Sequence, residues 1–387
     1  MTDAIAAGDA RALTRALALV DSRNPSLVDG GPGELAAATL LRHVLDEWGF
    51  RTAMHEAAPG RPNLVARIGG GDATKRSVMF NGHLDVVGVE GMTHAPFDAD
   101  VRDGRMYGRG TADMKGGIAA MCAAAYRAAH AGVAMGEMIV AAVADEEYAS
   151  LGTRALLAQG VRADAAVVTE PTTLAIMPAH RGFVWLEVEV AGRAAHGSRW
   201  DIGVDAIRHA GLLLAELDRV DAEVLPRRTH PLLGRGSLHA STIAGGTGMS
   251  TYPDRCVLRL ERRTIPTELA PAIVAEVERA CDAVRARRPT FAAAVRLIEA
   301  QGPSDVATDA PLVRALSAAL AVRGEPVRIE GMSAWTDAAL LNEGGIPAVC
   351  FGPGDISLAH AAEEYIPLDE IDRATAVLAT FAQSWCG

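Results

Sequence analysis

The chain has 387 residues, 49% of them hydrophobic and 22% charged, with a net charge of −11 and lysine only at Lys75 and Lys115. Such a composition belongs to a folded globular protein long enough for two domains, which excludes a disordered chain or a disulfide-stapled miniature. It lacks the basic face a nucleic-acid binder needs, and it has no apolar run of the roughly 20 residues that span a bilayer.

The opening stretch MTDAIAAGDARALTRALALV mixes acids and arginines, as an amphipathic helix does and a secretory signal does not. Residues 33–48 place Leu35, Leu40, Leu41, Val44 and Leu45 on one side of a second helix. Residues 76–80 and 138–144 are short apolar runs bounded by polar turns, the pattern of buried parallel strands, with an Ala-rich helix over 116–131 between them. Another apolar run, 165–169, stops at Glu170-Pro171. The alternation predicts an α/β sheet flanked by helices.

Beyond residue 180 the rhythm changes. Val184, Leu186, Val188 and Val190 alternate with Trp185, Glu187 and Glu189, the period of a half-solvated strand. A helix over 203–220, strands over 237–244 and 255–263, a helix over 267–287 and a strand over 290–298 complete a βαββαβ order. The chain then returns to helix 309–323, strand 346–351 and helix 369–384. The predicted architecture is an α/β domain with a mixed sheet flanked by helices, built from 1–178 and 300–387. A ferredoxin-like α+β domain over 179–299 interrupts it. Five cysteines (Cys122, Cys256, Cys281, Cys350 and Cys386) are scattered without a CxxC pair, as expected of a cytoplasmic protein.

Acids and histidines gather where apolar strands end or helices begin, the edge at which open α/β sheets bind ligands. His83 and Asp85 follow one strand, two residues apart, so that on extended backbone they share a side. Asp113 sits in a Gly-rich approach to a helix, where an acid serves as an N-cap or as a bridge between two cations. Asp145, Glu146 and Glu147 crowd three acids behind strand 138–144, a costly placement unless a cation gathers them. Glu170 leaves a third strand, and His360 follows the Gly352–Gly354 loop. Together they offer two histidines and three carboxylates as ligands, with one carboxylate to spare, an inventory that suits two divalent metals.

The strings NGHLDVV, GRGTADMKGG, ADEE, TEPT, GRAAHGS and FGPG…LAHAAEEYIPLDE resemble the M20 metallopeptidase and deacylase family over essentially the whole chain. That family takes in acetylornithine deacetylases, succinyl-diaminopimelate desuccinylases, aminoacylases and glutamate carboxypeptidases. The resemblance implies a zinc-exopeptidase-like catalytic domain whose inserted domain acts as a lid and makes a homodimer. It implies that His83 and Glu170 hold one metal, Glu147 and His360 the other, and that Asp113 bridges them across a cis Asp113–Met114 peptide. Asp85 would orient His83, and Glu146 would be the general base that activates water. His196 would donate to the oxyanion from the partner subunit, and Arg263, with its neighbour Arg262 facing the other way, would bind a substrate carboxylate. Two divalent ions are implied, zinc by default with cobalt or manganese as alternatives. Ser250 stands where relatives often have Asn, and Trp200 where proline is common, so the exact pocket of those relatives does not transfer. The expected activity is removal of an acyl group from an N-acyl amino acid. An exopeptidase acting on dipeptides or glutamates is the alternative within the family. A non-catalytic metal-binding protein is the alternative outside it, and the intact Glu146 argues against that one.

Overall fold

Val78–His83, Glu137–Val143, Ala166–Val168 and Ala348–Cys350 lie parallel at the centre of a mixed sheet in the computed structural model, which describes residues 5–132 and 135–387. These strands are buried almost throughout, as strands covered on both faces must be. Across the sheet the order is Arg51–Ala58, Arg61–Gly69, Glu137–Val143, Val78–His83, Ala166–Val168, Ala348–Cys350 and Ile176–His180. The first two and the last run antiparallel to their neighbours. The hairpin over 51–69 is absent from the predicted elements because RTAMHEAA, its half-solvated outer strand, shows no clean alternation.

Helices Ala10–Ala18, Gly116–Ala129, Pro311–Val322 and Leu368–Cys386 share one core with the sheet, including Leu13, Leu17, Ile118, Leu316 and Phe381 against Phe80, Val140 and Val167. In helix Leu35–Glu47 the buried stripe is Ala37, Ala38, Leu41, Val44 and Leu45. Leu35, expected on that stripe, is 52% exposed, because six residues at about 100° each carry it about 120° away from Leu41. The Ala-rich helix needs Gly117 for its approach to the sheet: a Cβ there would stand 2.0 Å from the Thr169 carbonyl oxygen. That closeness brings the turn before the helix, Thr111–Lys115, to the C-terminal edge of the parallel strands.

The chain divides into two compact units, one comprising residues up to Pro178 with Val306–Glu330 and Thr336–Gly387, the other Ala179–Asp305 with Gly331–Trp335. In the second unit, Ser237–Gly245, Arg255–Thr264, Gly182–Ala191 and Ala292–Gln301 form an antiparallel sheet in that order. Val184, Leu186, Val188 and Val190 pack with Leu213 and Leu217 of helix Ala206–Arg219 and Ile273 and Val277 of helix Ala270–Arg287. The other face is polar: Glu187 pairs with Arg259 at 3.1 Å and Arg296 at 2.8 Å. All five cysteines are buried and unpaired, and no helix among the described residues is long and apolar enough to cross a membrane.

His180 is 1% exposed, and burial pushes its imidazole down from 6.5 to about 4 although Nδ1 meets the Arg181 carbonyl at 3.0 Å. Between those two values the unfolded chain takes up a proton that the folded state refuses. Stability is therefore lost as pH falls from 6.5 toward 4, by up to about 1.4 kcal/mol per pH unit from this group. Urea midpoints measured from pH 7 to pH 5 should fall less steeply in His180→Gln than in the parent; equal slopes would remove His180 as the cause.

Candidate metal centre

Four parallel strands deliver the donors to one edge. His83 is the last residue of its strand and pairs with Val143; Asp145, Glu146 and Glu147 begin two residues further along that neighbouring chain. Glu170 leaves the Ala166–Val168 strand, and His360 follows the loop after Ala348–Cys350. Asp113 arrives from the kinked turn before helix Gly116–Ala129, where its backbone is non-helical (φ −120°, ψ 91°) and its peptide to Met114 is cis.

Donor atoms of His83, Asp113 and Glu147 all lie within 4.8 Å of one another. Asp113 stands between the two histidines: Oδ1 is 3.0 Å from His83 Nε2, and Oδ2 is 3.6 Å from His360 Nε2. His360 Nε2 also meets Glu147 Oε2 at 2.9 Å. Glu146 Oε2 approaches His83 Nε2 to 4.0 Å. Glu170 is buried, with Asp113, His83 and Glu147 near enough to influence its charge.

The electrostatics describe a pocket short of positive charge. Burial pushes Glu146 and Glu170 well above the usual carboxylate range, and neighbouring acids add to it while His83 pulls the other way. Burial and Asp113 likewise raise Glu147, against the pull of His360. Burial disfavours a charged His83, yet the hydrogen bond and charge of Asp113 carry it well above 6.5. Burial acts on Asp113 too, but His83 holds it below the ordinary value. His360 is raised chiefly by its bond to Glu147. An imidazole and carboxylate set so crowded suits divalent cations, which supply the missing charge.

The expected pairing of His83 with the Asp85 carboxylate takes another form. His83 Nδ1 meets the Asp85 carbonyl oxygen at 2.9 Å, and the nearest carboxylate oxygen is at 3.8 Å. The strand ends at His83, so the two-residue alternation that would align the side chains stops there. The Asp85 carboxylate instead accepts the N–H groups of Glu146 (3.1 Å) and Glu147 (3.2 Å) and the amide of Asn24 (2.8 Å).

Two further acids escaped the sequence reading. Glu364 is buried and holds the Asp113 turn, accepting the N–H of Ala112 at 3.0 Å and of Asp113 at 3.2 Å while Arg109 donates to it at 2.7 Å. Its place beside Tyr365–Pro367, which pairs with Arg105–Tyr107, brings it there. Asp337 accepts from Thr153 at 2.6 Å, and burial pushes it up to about 6. Glu364 lies within the motif around His360, which was the available signal; Asp337, in SAWTDAAL, had none.

Within the second unit, His196 is exposed, and its Nδ1 accepts the Ser198 N–H at 3.2 Å and lies 2.8 Å from the Ser198 hydroxyl. Arg263 lies over the Phe183 ring at 5.5 Å and pairs with Glu261. Arg262 faces the helices, fully buried, with Glu268 at 2.6 Å and Glu276 at 3.3 Å.

Residues 79–384 match the profile described as peptidase family M20/M25/M40. The chain belongs to that family. Among its relatives, acetylornithine deacetylase of Myxococcus xanthus is 32% identical over 341 residues, covering 86% of this chain and 87% of that protein. N-formyl-4-amino-5-aminomethyl-2-methylpyrimidine deformylase of Bacillus subtilis is 29% identical over 372 residues, with 88% and 87% covered. A tripeptidase from Staphylococcus aureus shares the fold, with a TM-score of 0.80 over 99% of each chain at 19% identity. As a member of this family the chain is a metal-dependent hydrolase of amide bonds.

Proposed function

We propose that the chain removes an acyl group from an N-acyl amino acid with the help of two zinc ions. The observation that carries this reading is Asp113, whose two carboxylate oxygens turn toward His83 and His360 respectively, with Glu146 4.0 Å from His83. In this reading His83 and Glu170 would hold one ion, Glu147 and His360 the other, and Asp113 would serve both. Bound there, divalent ions polarise an amide carbonyl and lower the pKa of water.

The chain's own residues do the rest. Glu146 lies outside the proposed ligand set, 4.0 Å from His83, where a carboxylate can take up a proton and release it. It accepts the proton of the attacking water and delivers it to the leaving amine. The Asp85 carbonyl fixes the His83 tautomer, so that Nε2 faces the centre. Glu364 and Arg109 keep Asp113 in place through the backbone. His196 is proposed to stabilise the oxyanion at the centre of the partner subunit, and Arg263 to bind a substrate carboxylate. A cytoplasmic homodimer completes the reading. The deacylase assignment is supported by the relatives named above, a deacetylase and a deformylase.

Amine release from N-acetyl, N-succinyl and N-formyl amino acids, with dipeptides and acyl-glutamates alongside, tests it. Activity on an N-acyl amino acid that is lost on chelation and restored by zinc is the expected result. Turnover of peptides alone would move the chain to the exopeptidases, and no metal dependence would sink the two-ion reading.

A further inference from the structure

The Asp145 side chain, next to the proposed base, meets neither histidine of the centre. Its Oδ1 instead accepts from Arg61 Nη2 at 3.0 Å and from Asn24 Nδ2 at 3.0 Å. Arg61 grips Glu34 with Nε and Nη2, both at 2.5 Å, and is 8% exposed; Asn24, Glu34, Asp85 and Asp145 are fully buried. Asn24 also donates to Asp85 Oδ2 at 2.8 Å, so one amide ties the residue after Leu84 to the residue before Glu146.

The backbone of the turn is held by the same group. All three of its N–H donors go to carboxylates outside it: Asp145 to Glu34 Oε1 at 3.2 Å, Glu146 to Asp85 Oδ1 at 3.1 Å, and Glu147 to Asp85 Oδ2 at 3.2 Å. The Asp145 carbonyl closes the turn by accepting from Ala149 at 3.2 Å and Ser150 at 2.6 Å. Asp145 itself sits at φ +66°, a left-handed conformation that a short polar side chain tolerates better than most. One arginine thus pairs with two buried carboxylates, Glu34 and Asp145, an arrangement that packed apolar residues would often match or better for stability alone.

We infer that Asn24, Glu34 and Arg61 are positioning residues for Glu146 and Glu147. A glutamate reaches its target through three rotatable bonds, so where its backbone is pinned decides where its carboxylate can act. A displacement of about 1 Å at a reacting group costs about 10²-fold in rate. The clamp holds Asp145–Glu147 from two sides, through Glu34 and Asp85; Arg61 ties Glu34, and Asn24 ties Asp85, to the Asp145 carboxylate. This inference rests on the assignment of Glu146 as base and Glu147 as ligand.

The test compares Asn24→Ala and Arg61→Lys with Glu146→Gln and with Leu316→Ala, a core variant of helix Pro311–Val322. Readouts are kcat and KM on the fastest N-acyl amino acid, zinc affinity by chelator competition, and Tm. The two clamp variants should lose about 10–100-fold in kcat or zinc affinity with KM little changed. Leu316→Ala should lower Tm and keep kcat. Should Arg61→Lys fail to fold, Asn24→Ala, which removes no charge, decides alone. Clamp variants with kcat and zinc affinity within about twofold of the parent overturn the inference, as does a kcat loss in Leu316→Ala that matches theirs at equal Tm. A fully active Glu146→Gln overturns instead the assignment of the base.

Discussion

Glu146→Gln is expected to lower kcat by about 10²–10⁴-fold while leaving the metal content of the protein unchanged. Gln has the same length and fits the same space, 4.0 Å from His83, but its amide cannot take a proton from water. Nor is Glu146 needed as a ligand, because His83, Asp113 and Glu147 already bring donor atoms within 4.8 Å of one another. The substitution puts a neutral side chain of the same length where burial and neighbouring acids already disfavour a charge, so the folded protein should not lose stability. Steady-state kinetics beside elemental analysis separate the outcomes. A variant that keeps more than about a tenth of parental kcat takes the base role away from Glu146.

Asp113→Asn should have a comparable effect on turnover for a different reason. Asp113 offers one oxygen to His83 at 3.0 Å and the other to the side of His360 at 3.6 Å, and an amide can present an acceptor to only one of them. The expected result is weaker binding of at least one ion and a fall in turnover of at least about 10²-fold, beyond what loss of an outer partner usually costs. The metal-free protein gives a second readout. Asp113 is what lifts His83 well above 6.5 against the effect of burial, so removing its charge should bring the imidazole down. An NMR titration of His83 in the chelated parent and variant measures that shift directly. An unchanged titration would mean that Asp113 does not govern the His83 charge.

The proposed donors were visible in the sequence because each stands at a locally recognisable place. His83, Glu147 and Glu170 each follow a short apolar run, and a buried parallel strand is recognisable from a handful of residues. The Gly-rich approach to Asp113 was likewise visible, although only the packing shows that Gly117 is small because the Thr169 carbonyl lies against it. The second unit's sheet was readable for the same kind of reason, since Val184 to Val190 alternate with polar residues that face water.

Sequence alone marked most of the sheet's central strands, the longer helices and the candidate donors, because hydrophobic period and the residue at a strand's end are short-range properties. Tertiary structure alone decided what those donors touch. Asn24 meets Asp85 across 61 residues of chain and Asp145 across 121, and Glu364 reaches back 251 residues to the Asp113 N–H. Glu34 sits at the start of a stretch that reads as an ordinary helix and Arg61 in one with no predicted element, yet folding buries them against each other and Asp145. The same holds for Asp85, which was expected to turn its carboxylate to His83 and gives it a carbonyl instead. Hydrogen-bond partners between distant segments follow from how layers pack, and no local periodicity records that.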